Sequence, residues 1–153
     1  MSARGMAGTG RIYLSTSNYV GVFGPTIGCN GGVAGICRGR GTLYHLSDTK
    51  FKDIADGLSN TFVVVERSSR NGESRWAGVV RGGDRPLLRV VGAASRPQDI
   101  KAGSLEAFSS EHQLGAHFAF ADQSVRLIAG TIDQSVFAAL STRAGNEAVP
   151  DGL

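Results

Sequence analysis

The chain has no apolar run approaching the ~20 residues that a membrane-spanning helix requires, so no span is expected within its 153 residues. Its first ten residues, "MSARGMAGTG", lack the apolar centre of a secretory signal. The chain is therefore read either as soluble and internal or as one whose export segment has been removed. An excess of one charge is missing too: 16 basic residues face 13 acidic ones, and the arginines are scattered along the chain. Nucleic-acid binders gather basic residues in one patch with aromatic platforms. The nearest approach is Arg38-Gly39-Arg40 followed by Tyr44, which reads as solvated loop charge, so no nucleic-acid partner is expected.

Cysteine is scarce, and its placement is limiting. Cys29 and Cys37 stand alone in "GCNGGVAGIC", with no C-x-x-C or H-x-x-x-H nearby to complete a structural zinc site. The glycine-rich gap between them is able to curl into a small disulfide loop, which suits an exported protein; two free thiols are the alternative. Nucleotide signatures are absent as well. The glycine loop at 28–35 is not followed by Lys-Ser/Thr and lacks a strand–loop–helix setting. No G-x-S-x-G elbow is present.

Glycine is abundant, at 22 residues, which points to a β-rich chain of short elements joined by turns and bulges. The predicted order starts with a flexible leader at 1–10 and one or two strands within "RIYLSTSNYVGVFG", and a long glycine-rich loop fills 24–42. A helical turn follows near 49–55, with Gly57 as its C-cap, and then a strand at 61–66. A short strand is expected around 75–80, and an edge strand in "LLRVVGA". In "HFAFADQSVRLI", Phe118 and Phe120 alternate with alanines and Val125 and Leu127 with Arg126 and Ile128, predicting a core β-hairpin turned at Asp122-Gln123-Ser124. In "TIDQSVFAALSTRAG", Thr131 and Gln134 are spaced as a capping box, Ile132, Val136, Phe137 and Leu140 share a helical face, and Gly145 ends the run. A single α+β head over 11–149, with an antiparallel sheet, a C-terminal helix packed on it and a tail at 150–153, is the expected architecture.

Chemistry is concentrated in residues 111–122. Glu111, His112, His117 and Asp122 offer the oxygens and imidazoles that divalent zinc or manganese accepts, and these residues with Glu66 are also the candidate catalytic groups. Alternation along a strand places His117 and Asp122 on opposite faces unless the turn rotates the aspartate. A metal-activated water attacking an ester or phosphoester would draw on Glu66, Asp53 or Asp56 as further ligands or base. Calcium through Asp53 and Asp56 is conceivable, although EF-hand spacing is absent. Against this stands a structural reading in which Asp122 bonds the amides of its own turn, His112 anchors the loop, the "DGLSNT" polar groups satisfy local amides, and Glu66 pairs with Arg126 or Arg143.

Several stretches, in order, resemble the planctomycete pseudopilin-like proteins, a family of unknown function. "DGLSNTFVVVER" at 56–67 is similar to the family's DGxSNT…E, and His112 followed after nine residues by Asp122 matches its His-x9-Asp-Gly signature except that Gln123 replaces the glycine. "LSTRAGNEAV" looks like the family's LaTRaGGE, and "SNYVGVFG" like its early Tyr-x-Gly strand, so the resemblance covers roughly 17–149. The family's prepilin-type N-terminal helix is missing here, so the chain is expected to be an isolated, truncated head. The resemblance implies an exported or cell-envelope head in a type II secretion or type IV pilus-like assembly. Its partners would be other pseudopilin-like or secretion-system subunits, or further copies of itself. The departure at Gln123 implies a less favourable hairpin or another turn type. The competing expectations are a small metal-dependent hydrolase and a glycan or surface-polymer module using Trp76 and the arginines.

Overall fold

A computed structural model describes residues 14–28, 37–75, 85–97 and 104–150. The leader at 1–10, Trp76 with most of the strand expected around it, and Cys29 lie outside them. The strands are β1 (Thr16–Ser17), β2 (Tyr19–Gly24), β3 (Phe62–Glu66), β4 (Ser74–Arg75), β5 (Val91–Ala93), β6 (Gly115–Phe120) and β7 (Val125–Ala129). Among the described residues the one α-helix, α1, is Gln134–Ala139. Five strands form one sheet in the order β5-β2-β3-β6-β7, and β1 with β4 makes a separate two-stranded ribbon. Every pairing in the main sheet is antiparallel except β2 with β5. The fold is α+β and dominated by antiparallel pairing, with "LLRVVGA" supplying the edge strand β5.

One face of the sheet is the core. Val20, Val22, Phe62, Val65, Ala116, Phe118, Phe120 and Ile128 are buried against Phe108, Phe137 and Leu140. Phe118 sits in an aromatic cluster, 4.3 Å from Phe62, 5.6 Å from Phe108 and 5.7 Å from Phe137 between ring centres. These offset and edge-on arrangements suit the ring quadrupoles. The core also accounts for an irregularity in β3. The register shifts between Phe62 and Val64, so Phe62 and Val65 both face inward although three positions apart.

Four local expectations are corrected. The expected helical turn is a 3-10 turn at Phe51–Asp53, but Gly57 precedes a second one, Leu58–Asn60, with φ +96°. It opens that turn rather than closing the first, in a conformation glycine tolerates best. α1 is capped by Asp133, whose carboxylate accepts the N–H groups of Ser135 and Val136, so Thr131 is not the cap and the box with Gln134 is not formed. The helix ends at Ala139 with Leu140 as its C-cap rather than at Gly145, whose N–H is accepted by Asp56 instead. Finally, the core face of β7 is Ile128 with Arg126, while Val125 and Leu127 are exposed. Pairing sets the faces: Arg126 lies opposite Phe118 and its guanidinium covers the Phe120 ring at 4.1 Å, whereas Val125 and Leu127 lie opposite Ala119 and His117.

The hairpin turn shows how the chain accommodates Gln123. Phe120 accepts the Gln123 N–H at 3.0 Å and donates its own N–H to Ser124 at 2.9 Å, leaving a three-residue loop. Gln123 sits in the left-handed region at φ 72°, the position where such loops favour glycine. Replacing Gln123 with glycine is therefore expected to raise the unfolding free energy by about 0.5–1 kcal/mol, the left-handed strain relieved less the added freedom of the unfolded chain. Urea unfolding checks this, and an unchanged or lower midpoint would count against the turn assignment.

Candidate functional site

The site lies on the solvent-facing side of the sheet. Tyr19 pairs with Glu66, and His117 with Leu127. Glu66 stands one residue beyond the Val65–Phe118 pair, and its carboxylate bonds His117. Tyr19, Glu66, His117 and Leu127 therefore form one row across β2, β3, β6 and β7. Because Phe118 must face the core, its neighbour His117 must face outward. The ends of the row are open, with Tyr19 51% and Leu127 44% exposed.

Glu66 organises the centre of the row. Its Oε2 accepts the His117 N–H at 2.7 Å and the Ser110 hydroxyl at 3.1 Å. Its Oε1 stands 3.3 Å from His112 Nε2 and 3.3 Å from His117 Nδ1. Ser110 also accepts the His112 N–H, which folds the 109–112 loop back over the strand ends. The two imidazole rings are edge-to-face with centres 4.7 Å apart. Burial alone would raise the Glu66 pKa, but the His117 N–H, the Ser110 hydroxyl and the positive charges of His117 and His112 outweigh it and hold the carboxyl below its ordinary value. Beside the trio opens a cleft of about 320 Å³, lined by Asn18, Tyr19, Glu66, Ser68, Ser110 and His112 among others.

Not every candidate residue joins this group. Glu66, His112 and His117 have ligand atoms within 4.8 Å of one another, the described residues that cluster as a cation site would. Glu111 turns away to the Ser68 hydroxyl and to Arg70, at 2.8 Å from the latter. Asp122 accepts the N–H and hydroxyl of Ser124, its pKa lowered first by that hydroxyl, and lies 3.6 Å from Arg126. Asp53 accepts the Lys50 N–H. Glu66 pairs with neither Arg126 nor Arg143: the latter donates to the carbonyls of Gly39 and Gly41 and lies over the Tyr44 ring.

Asp56 was expected to serve its own turn, and it instead reaches across the chain. It accepts the N–H groups of Gly145 and Asn146, both at 2.7 Å, and the Thr142 hydroxyl at 2.8 Å. Its pKa is pushed up by burial and, more strongly in sum, down by those three donors and the charge of Arg40. The DGLSNT and LSTRAGNE stretches are thus joined through one carboxylate. Nothing in the local sequence marks Arg67 as important. It is 1% exposed and donates to the carbonyls of Ala107, Leu88 and Val91. An arginine just after a strand ordinarily reads as a solvated end, and only the three-dimensional arrangement brings those carbonyls to it. Ser110 was missed for the same reason.

Cys37 is disulfide-bonded; Cys29, the chain's other cysteine, lies outside the described residues. No helix among the described residues is long and apolar enough to cross a membrane. Searches of curated proteins and of solved structures return no match. A family model described as "Protein of unknown function (DUF1559)" matches residues 1–135. The chain therefore belongs to the DUF1559 family of proteins of unknown function.

Proposed function

We propose that this protein is a structural, interaction-making head of the pseudopilin-like type found in planctomycetes, working in a type II secretion or type IV pilus-like assembly. The observation that carries this reading is the outward row Tyr19–Glu66–His117–Leu127, with Val125 beside it at 63% exposure. An aromatic and two aliphatic side chains flanking a polar centre make the kind of surface that protein partners cover. The motif resemblance supports the family assignment, and the Cys37 disulfide supports an oxidising, exported setting. The partners are other subunits of the same assembly, including copies of this chain.

The test is a photo-crosslinking amino acid placed at Leu127 in the cell that makes the protein, with exposed Lys52 as the control position. The expected result is a covalent adduct at 127 containing a second pilin-type subunit or a second copy of the chain, and none at 52. Crosslinking at 52 but not at 127 would overturn the reading.

A second reading, a metal-dependent hydrolase acting on phosphoesters or activated esters, is favoured by one observation: Glu66 and His112, which cluster with His117, line an open cleft. A bound metal there would supply an activated water.

A further inference from the structure

We infer that Glu66, His112 and His117 form a binding site for one divalent transition metal of the zinc class. This inference stands independently of the assembly reading. Its basis is the spacing of the three donor atoms. Ligands about 2.0–2.2 Å from a tetrahedral zinc ion lie roughly 3.3–3.5 Å from one another. Glu66 Oε1 is 3.3 Å from His112 Nε2 and 3.3 Å from His117 Nδ1, and all three donor atoms fall within 4.8 Å. Direct charge-assisted hydrogen bonds from imidazolium to carboxylate would be tighter, at about 2.7–2.9 Å. Both Glu66–histidine spacings are longer than that and fall in the range for ligands of one ion.

The surroundings prepare the carboxylate for this role. Glu66 Oε2 is held by the His117 N–H and the Ser110 hydroxyl, which leaves Oε1 beside both rings, with His117 Nδ1 3.3 Å from each carboxylate oxygen. Such outer partners commonly fix the ligands of metal sites. β3 and β6 place Glu66 and His117 rigidly, and the Ser110–His112 contact brings the third ligand over them. Both histidines are partly open to solvent, which gives an ion an entry path and leaves room for a water as fourth ligand. Two imidazole nitrogens and one carboxylate suit zinc, whereas calcium and magnesium prefer shells made wholly of oxygen. The consequence for the fold is a clip that fastens the 109–112 loop to the middle of the outward row.

Zinc chloride titrated into chelator-stripped protein, followed by calorimetry and elemental analysis, tests the site. One zinc per chain is expected, not displaced by excess calcium or magnesium, and cobalt substituted in its place should show the intense visible bands of a tetrahedral ion. His112→Ala and Glu66→Gln should each weaken binding by more than about a hundredfold, with circular dichroism unchanged. Ser110→Ala keeps all three ligands and should weaken it by about 10- to 100-fold. His112 is more than half exposed, so its variant reads binding even where Glu66→Gln disturbs the strand pairing. Binding well below one equivalent, or equal affinity in wild type and His112→Ala, would overturn the inference.

Discussion

Replacing Arg67 with alanine is expected to lower the unfolding free energy by about 3–5 kcal/mol, the scale of breaking a buried charged network. Arg67 is 1% exposed, and its guanidinium donates to Ala107, Leu88 and Val91. Burial first, and then the charge of Arg89, lowers its pKa to about 10, so the group is still a cation at neutral pH. Among the described residues no carboxylate balances it; backbone carbonyl dipoles do. This sets Arg67 apart from a buried ion pair, in which both partners are replaceable by apolar side chains. Here the partners are main chain, so Arg67→Met fills the volume yet leaves three buried carbonyls without donors, and it should also be costly. Gly92 is part of the same arrangement: a Cβ there would stand 2.5 Å from Arg67 Nη2 and 2.8 Å from Phe108. Urea unfolding of Arg67→Ala and Arg67→Met separates the contributions, and a loss under about 1 kcal/mol in both would contradict the assigned role.

Replacing Asp56 with alanine is expected to cost about 2–3 kcal/mol, because it removes a charged acceptor from two backbone N–H groups and a hydroxyl at once. The segment from Thr142 to Asn146 then loses its anchor, although Arg143 still accepts the N–H groups of Ala55 and Asp56 through its carbonyl. The effect depends on pH with a definite sign. The Asp56 pKa is lower in the folded chain than the ordinary aspartate value of 3.8. The unfolded chain therefore binds the proton more readily, and the contribution is fully present above that value. It is lost as pH falls through the lower folded value. Glu66 behaves the same way, being lowered from 4.5. Wild type should lose stability steeply as pH drops below about 4.5, and Asp56→Asn should lose it less steeply over the same range. Parallel acid-unfolding curves would show that Asp56 is not the anchor.

The parts of the fold legible from sequence are those where local pattern and tertiary demand agree. The run Phe62–Glu66 reads as a strand because it is apolar, β-branched and bounded by turn residues, and it is one. Phe118 and Phe120 alternate with alanines and face the core as the pattern requires. "VRLI" is ambiguous, because apolar residues occupy both faces. Only the register opposite β6 decides that Ile128 faces inward and Leu127 outward. Gly57 and Gly145 look alike as helix stops, yet one opens a 3-10 turn and the other serves Asp56. Thr131 and Asp133 are both good caps by residue type, and the Asp133 carboxylate, two residues on, is the one in reach of the helix amides.

The candidate site divides in the same way. Composition marks out His112 and His117 as neighbours, and strand alternation correctly separates His117 from Asp122. Glu66 lies 46 residues before His112, and no local pattern joins them. The β3–β6 register does so, together with the loop closed by Ser110. Asp56 and Arg67 act through partners up to 90 and 40 residues away, respectively, which short windows of sequence do not reveal.

Under the assembly reading proposed above, this outward face serves contact rather than turnover. The most direct measurement is a panel of phosphoesters and activated esters offered to zinc-supplemented protein, with wild type compared with Glu66→Gln and with chelator-treated samples. Rates equal to buffer are expected in every arm. Chelator-sensitive turnover by wild type, absent in a folded Glu66→Gln, would make the trio a reaction centre and contradict that reading.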